Sequence, residues 1–290
     1  MGQEIDLVSI DDAQRTEFAA RLRAETLRLK KLFDTRAFAY HETPTVGLEI
    51  EACLVDASGT PLAENDAFLD AASDPLLVHE LARFNFEANV APCTFRNLCF
   101  TQLEQRITDV WRRAQEAAAT LDATPLMIGI LPTLTSAHLN LDAMSRSNRY
   151  RALNEQLFVL RREKPLSIDI RGRQHLRMTL CDVMLEAAAT SIQVHLSVNQ
   201  EDARRVYNAA QVLAAPLVAL AANAPFLYGK DLWEETRIEV FEQAVKVASF
   251  RDKRGVDIGR VTMGTGYSRH GFLELFLQNL DAYPPMLPIL

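Results

Sequence analysis

Apolar and polar positions alternate along three separate stretches of this chain, and between them apolar positions recur at helical spacing. Residues 45–56, TVGLEIEACLVD, put Val46, Leu48, Ile50, Ala52 and Leu54 on one side of a strand and Glu49 and Glu51 on the other. Residues 83–90, RFNFEANV, set Phe84, Phe86, Ala88 and Val90 against Asn85, Glu87 and Asn89. Residues 191–198, SIQVHLSV, set Ile192, Val194, Leu196 and Val198 against Ser191, Gln193, His195 and Ser197. A short apolar strand is expected at 126–131, stopped by Pro132. Helices are expected at 11–33, opening near Asp11 or Asp12, and at 98–121 through Leu103, Ile107, Trp111, Ala114 and Ala118. Three more follow at 148–162, at 201–222 with a bend or break near Pro216, and at 271–280. Residues 58–74 read as a polar, acidic connection and 261–268 as a glycine-containing loop. No repeat, low-complexity tract or linker divides the chain. The expectation is one α+β domain, residues 1–290, with a largely antiparallel sheet.

Composition narrows the partners. A chain of 290 residues with 48% hydrophobic and 24% charged residues is ordinary for a globular enzyme. Its net charge of −7 leaves no basic excess for phosphate backbones, so nucleic acid is not expected as a partner. The start, MGQEIDLVSIDD, lacks a basic-then-apolar secretory pattern, and Asp6 after Met1-Gly2 argues against myristoylation. The longest apolar run, 212–227, is interrupted by Pro216, Asn223 and Pro225, so no membrane span is expected. Four cysteines, 53, 93, 99 and 181, form no C-x-x-C pair, the pattern of reduced thiols in a cytoplasmic protein. Cys53 shares a face with Glu49 and Glu51 and reads as a small buried residue or as a thiol beside a site. The chain ends YPPMLPIL, an apolar, proline-rich segment that further chain or a partner is expected to cover, as in a C-terminally truncated domain.

Glu49 and Glu51 lie roughly 6.5–7 Å apart along one strand face. Two like charges among apolar flanks repel each other and lose hydration, so something positive is needed beside them. Carboxylates from several strands with one imidazole and no thiolate spacing suit Mg²⁺ or Mn²⁺ and a phosphate-bearing substrate better than zinc. Neither G-x-x-x-x-G-K-[ST] nor G-x-G-x-x-G occurs, and Gly264-Thr265-Gly266 is too short a pattern to count. Each residue also has a plainer reading. Glu49 and Glu51 could line a solvated face, Glu87 could be a surface carboxylate, and His195 a satisfied structural group. Arg237 could simply pair with its glutamate neighbours.

Taken in order, GLEIEACLVD, FNFEANVAPC, NRYRALN, TSIQVHLSV, ANAPFLYGKDLWEETRIEVFEQA and LELFLQNLDAYPPMLPIL resemble the glutamate–cysteine ligase type 2 family from about Thr45 onward. That family comprises ATP-dependent carboxylate–amine ligases related in fold to glutamine synthetase. The resemblance implies a curved antiparallel sheet whose concave face binds metal, ATP and glutamate, with helices outside. It implies Glu49, Glu51 and Glu87 as metal ligands, His195 at metal or nucleotide, and Asn223 and Arg237 at substrate and phosphates, with Arg237 acting catalytically. Arg149 and Arg151 match the motif without a transferable role. The family is usually longer, with further strands carrying another carboxylate and arginine, so this chain would be an N-terminal portion. The implied reaction is ligation of glutamate's γ-carboxylate to cysteine or another amine, through an acyl phosphate, in a protein compatible with a homo-oligomer. A metal-dependent phosphoesterase or amide hydrolase and a non-catalytic nucleotide-binding module are the alternatives.

Overall fold

The first helix begins where a side chain can satisfy its free N–H groups. Asp11 accepts from the Gln14 backbone N–H, and the Gln14 side chain accepts from that of Asp11, a reciprocal cap that opens α1 (Asp12–Asp34). The computed structural model describes residues 4–6, 10–247, 250–251, 255, 257–262, 264 and 266–289. Gly2, Met263, Thr265 and Leu290 lie outside the described residues. After α1 come β1 (Thr45–Val55), α2 (Asn65–Ala72), β2 (Leu77–His79), β3 (Asn85–Thr94), α3 (Cys99–Ala119) and β4 (Thr124–Leu126). Then follow α4 (Asn148–Leu160), β5 (Leu166–Arg171), β6 (His175–Leu180), β7 (Ile192–Leu196), α5 (Gln200–Ala221), α6 (Arg237–Ala244) and α7 (Leu273–Ala282).

β1 is the central strand because both of its edges are occupied. β3 pairs with one edge, and β2 lies outside β3. β4 and β7 share the other edge. All these pairings are antiparallel. The register sets Glu51 opposite Glu87 and Glu49 between Asn89 and Gln193, with Gly47 opposite His195. Direct cross-strand partners point to the same side, so three strands contribute to one polar surface.

The opposite face of β1 is dry. Ile50, Ala52 and Leu54, with Phe86 and Ala88 of β3, pack against Phe68 of α2 and Val110, Ala114 and Ala118 of α3. Phe68 and Phe86 meet ring to ring at 4.6 Å. Further along β1, Cys53 and Val55 enter a second core built from β5, β6, α4, α6 and the 3-10 turn Met184–Ala188. The glutamates of β1 therefore sit where that second core meets the sheet.

Several expectations need correction. Residues 58–74 are not a plain connection: they contain α2, whose Phe68 is fully buried, an apolar anchor outweighing the acidic surroundings. Phe84 does not share a face with Phe86, because the strand starts at Asn85 and the preceding turn sends Phe84 into the second core. Of 126–131, only Leu126 is strand, as the last residue of Thr124–Leu126, while Ile130 makes an isolated bridge to Ala189. α5 runs unbroken through Pro216; the residues around it are exposed, so water can satisfy the carbonyl it leaves free. Met286 of the C-terminal segment packs, partly buried, against the second core. Among the described residues no helix is long and apolar enough to cross a membrane. All four cysteines are free thiols.

Candidate functional site

Alternation on β1 delivers Glu49 and Glu51 to one surface, and the register adds Glu87 from β3 and His195 from β7. His195 Nε2 lies 3.4 Å from Glu49 Oε1. Glu51 accepts from the Ser191 backbone N–H at 2.8 Å and from Gln193 Nε2 at 3.4 Å. Glu87, only 7% exposed, accepts from Asn89 Nδ2 at 2.7 Å.

Two further carboxylates join this surface. Glu80 follows β2, and Glu186 lies on the 3-10 turn Met184–Ala188. Burial pushes Glu51 up to about 7, with the charges of Glu80 and Glu87 adding to it against the Ser191 hydrogen bonds. Glu186 is likewise pushed up to about 7 by burial and by the charges of Glu80 and Glu51. Burial also raises Glu80, assisted by Glu87 and Glu49 and opposed by the Leu81 N–H and by Arg149. These glutamates therefore feel one another. Neither Glu80 nor Glu186 carried a periodic signal, since β2 has three residues and the turn five.

Arg149 is the cation lining the cleft, and its charge opposes that of Glu80. A cleft of about 190 Å³ is lined by Glu80, Glu87, Arg149, Tyr150 and Leu287. Arg149 lies over the Tyr150 ring at 4.5 Å and donates to the Tyr150 hydroxyl and the His79 carbonyl. Arg151 is elsewhere, on a separate cleft with Ser145 and Asn154.

Arg237 and Asn223 both approach Gly129. Arg237 Nε and Nη2 donate to the two Glu235 oxygens at 2.5 and 2.6 Å, and Nη1 donates to the Thr190 carbonyl at 2.7 Å. The Glu235 hydrogen bonds hold the guanidinium charged, and Glu51 adds to this. A guanidinium has five N–H groups, so two remain for a ligand. Gly129 is the enabling residue: a Cβ there would fall 2.4 Å from Asn223 Oδ1 and 3.0 Å from Arg237 Nε. Cys53 is not a site thiol. It is buried, burial pushes it up to about 12, and Asn85 Nδ2 donates to its sulfur at 3.3 Å.

The donor set fits a hard divalent cation in chemistry, since its atoms are carboxylate oxygens whose mutual repulsion is under-compensated. Among the described residues, however, no three His, Cys, Asp or Glu side chains converge into a ready-made cage. A Mg²⁺ ion that keeps several waters needs only one or two carboxylates beside substrate phosphates.

Residues 45–256 match the sequence model of the glutamate-cysteine ligase family 2. The chain is similar to the crystal structure of a glutamate–cysteine ligase from Francisella tularensis in complex with AMP, at 11% identity and a TM-score of 0.36. That likeness covers 58% of this chain and 30% of the other, so the chain spans less than a third of that protein's length. No curated protein matches.

Proposed function

The chain belongs to the glutamate–cysteine ligase family 2, and we propose that it is an ATP-dependent ligase joining the γ-carboxylate of glutamate to the amine of cysteine. The observation that carries this reading is a set of mutually repelling carboxylates, Glu51, Glu80, Glu87 and Glu186, of which Glu80 and Glu87 line one cleft with Arg149. Such a surface favours a cation and a ligand that brings one. One or two of Glu49, Glu51, Glu80 and Glu87 would hold a Mg²⁺ or Mn²⁺ ion, with water in the rest of its shell. Such an ion would supply positive charge to offset that of the phosphate oxygens of ATP.

The chain's own residues would do the rest. Arg237, fixed through Glu235 and Thr190, offers its two remaining N–H groups to the transferring group in a rigid plane. Asn223, packed against it over Gly129, orients the substrate. His195, beside Glu49, contacts the nucleotide or holds the carboxylate in place. An acyl phosphate reacts directly with an amine, so no protein nucleophile is required, and the inert Cys53 is consistent with that. The product would be γ-glutamylcysteine, the glutathione precursor, made in a reducing cytoplasm.

ADP release in Mg²⁺, ATP and glutamate, with and without cysteine, tests the assignment. Release that depends on cysteine is expected. Release without any amine would indicate a hydrolase, and nucleotide binding without release would indicate a binding module.

A further inference from the structure

The second cleft, of about 260 Å³, has the opposite chemistry from the first. Leu141, Met144, Ser145, Arg151 and Asn154 line it, with no carboxylate among them. Arg151 and Asn154 stand three residues apart on α4 and so share one face of that helix. Ser145 has no proton left to give, since its hydroxyl donates to the Glu80 carbonyl while accepting from Asn65 Nδ2. Asn154 Oδ1 accepts from the Val183 N–H at 3.0 Å, which orients the amide and leaves its Nδ2 donor free. The Arg151 guanidinium makes no hydrogen bond or ion pair among the described residues. Glu4, which reaches this end of α4, accepts from the Ser147 hydroxyl and the Arg149 N–H instead.

An unpaired arginine on a convex surface is simply solvated. Arg151 differs because it lies in a concave site beside a second free donor and an apolar wall. The polar groups left over are all N–H donors, and one of them is a full positive charge, so the complement is an oxyanion. Leu141 and Met144 offer nothing to an inorganic ion but can cover a short hydrocarbon stem. The volume is below the roughly 300–1,000 Å³ of clefts that take larger ligands, so a nucleotide does not fit.

We propose that this cleft binds a small aliphatic carboxylate, its oxygens on the Arg151 fork and Asn154 Nδ2 and its stem against Leu141 and Met144. The site is separate from the glutamate cleft and does not depend on the ligase reading.

Methyl-labelled methionine NMR on the full chain reads the site directly, with the Met144 signal identified by its loss in Met144→Leu. At constant ionic strength, butyrate should shift that signal saturably. Butyramide, which has the same shape without the charge, should bind about 10-fold or more weakly, the range of a charge-assisted hydrogen bond. Acetate, shorter by two methylenes, should bind roughly 4- to 15-fold more weakly, and inorganic phosphate no better than acetate. Arg151→Gln should weaken butyrate about 10-fold or more, and Arg151→Lys, a point charge in place of a planar fork, by less. Asn154→Asp keeps the acceptor for the Val183 N–H but turns the free donor into a negative charge, and should weaken butyrate as Arg151→Gln does. The other methionine signals show whether each variant is folded. A Met144 signal that ignores butyrate, responds equally to butyramide, or keeps its full butyrate response in a folded Arg151→Gln or Asn154→Asp chain overturns the site. Phosphate that binds more tightly than butyrate overturns the carboxylate assignment.

Discussion

Glu49 and Glu51 were legible because alternation within eleven residues fixes which face a side chain takes, whatever the rest of the chain does. Gly129 was not, because its value depends on what arrives from elsewhere. Its missing Cβ is the space occupied by Asn223 and Arg237, some hundred residues later. Gly129→Ala should therefore act as overpacking at the site. Its backbone conformation admits alanine, but the new methyl would displace Asn223 and crowd Arg237. A loss of about 1–3 kcal/mol is expected in a denaturant titration. Nucleotide binding should weaken beyond what that loss of folded protein explains. A variant as stable as the parent with unaltered nucleotide affinity would show that Asn223 has room to spare. Glu80 and Glu186 were missed for a related reason: each lies outside any run long enough to have a period, and only folding places it against Glu51.

At the level of elements, the long periodic segments and the short alternating strand at Ile192–Leu196 were read, and several other short or composite elements were not. α3 and the central strand match their expected positions because a strong apolar stripe meets a complementary face. The β5–β6 hairpin went unread, although Leu166, Ile168 and Ile170 alternate into the second core before a Gly172-Arg173 turn. A bend or break was expected near Pro216, and α5 is not broken there. Proline normally costs a helix interior about 3 kcal/mol through its lost hydrogen bond and ring clash, and here exposure eases only the first. Pro216→Ala should thus protect the end of the helix. Slower amide hydrogen exchange at residues 217–221 is the expected result, with little change in global melting because this stretch is exposed. Unchanged exchange would mean that the C-terminal turn opens independently of residue 216.

On the scale of the whole molecule, two dry cores flank a seam of carboxylates that Arg149 offsets only in part, so folding is expected to respond to pH and, on the proposed function, to divalent ions. Glu51 and Glu186 each move from an ordinary 4.5 to about 7 in the native state. Between those values the folded chain binds protons that the unfolded chain has released, so stability falls as pH rises through the window. The carboxylates held low, such as Asp169 beside Arg177 and Asp74 beside Arg113, act in the opposite sense, but only below about pH 4, where an unperturbed aspartate takes up its proton. Part-exposure of the seam reduces the effect to on the order of a few kcal/mol in total. In chelator, the melting temperature should therefore drop by about 5 °C or more between pH 5 and pH 8. Millimolar Mg²⁺ should restore most of that loss at pH 8 and change little at pH 5, where the carboxylates already carry protons. Glu51→Gln should flatten both responses, since it removes the charge that the other glutamates oppose. A melting temperature that rises toward pH 8 in chelator, or a Mg²⁺ response equal at both values, would mean that water rather than a cation relieves the seam.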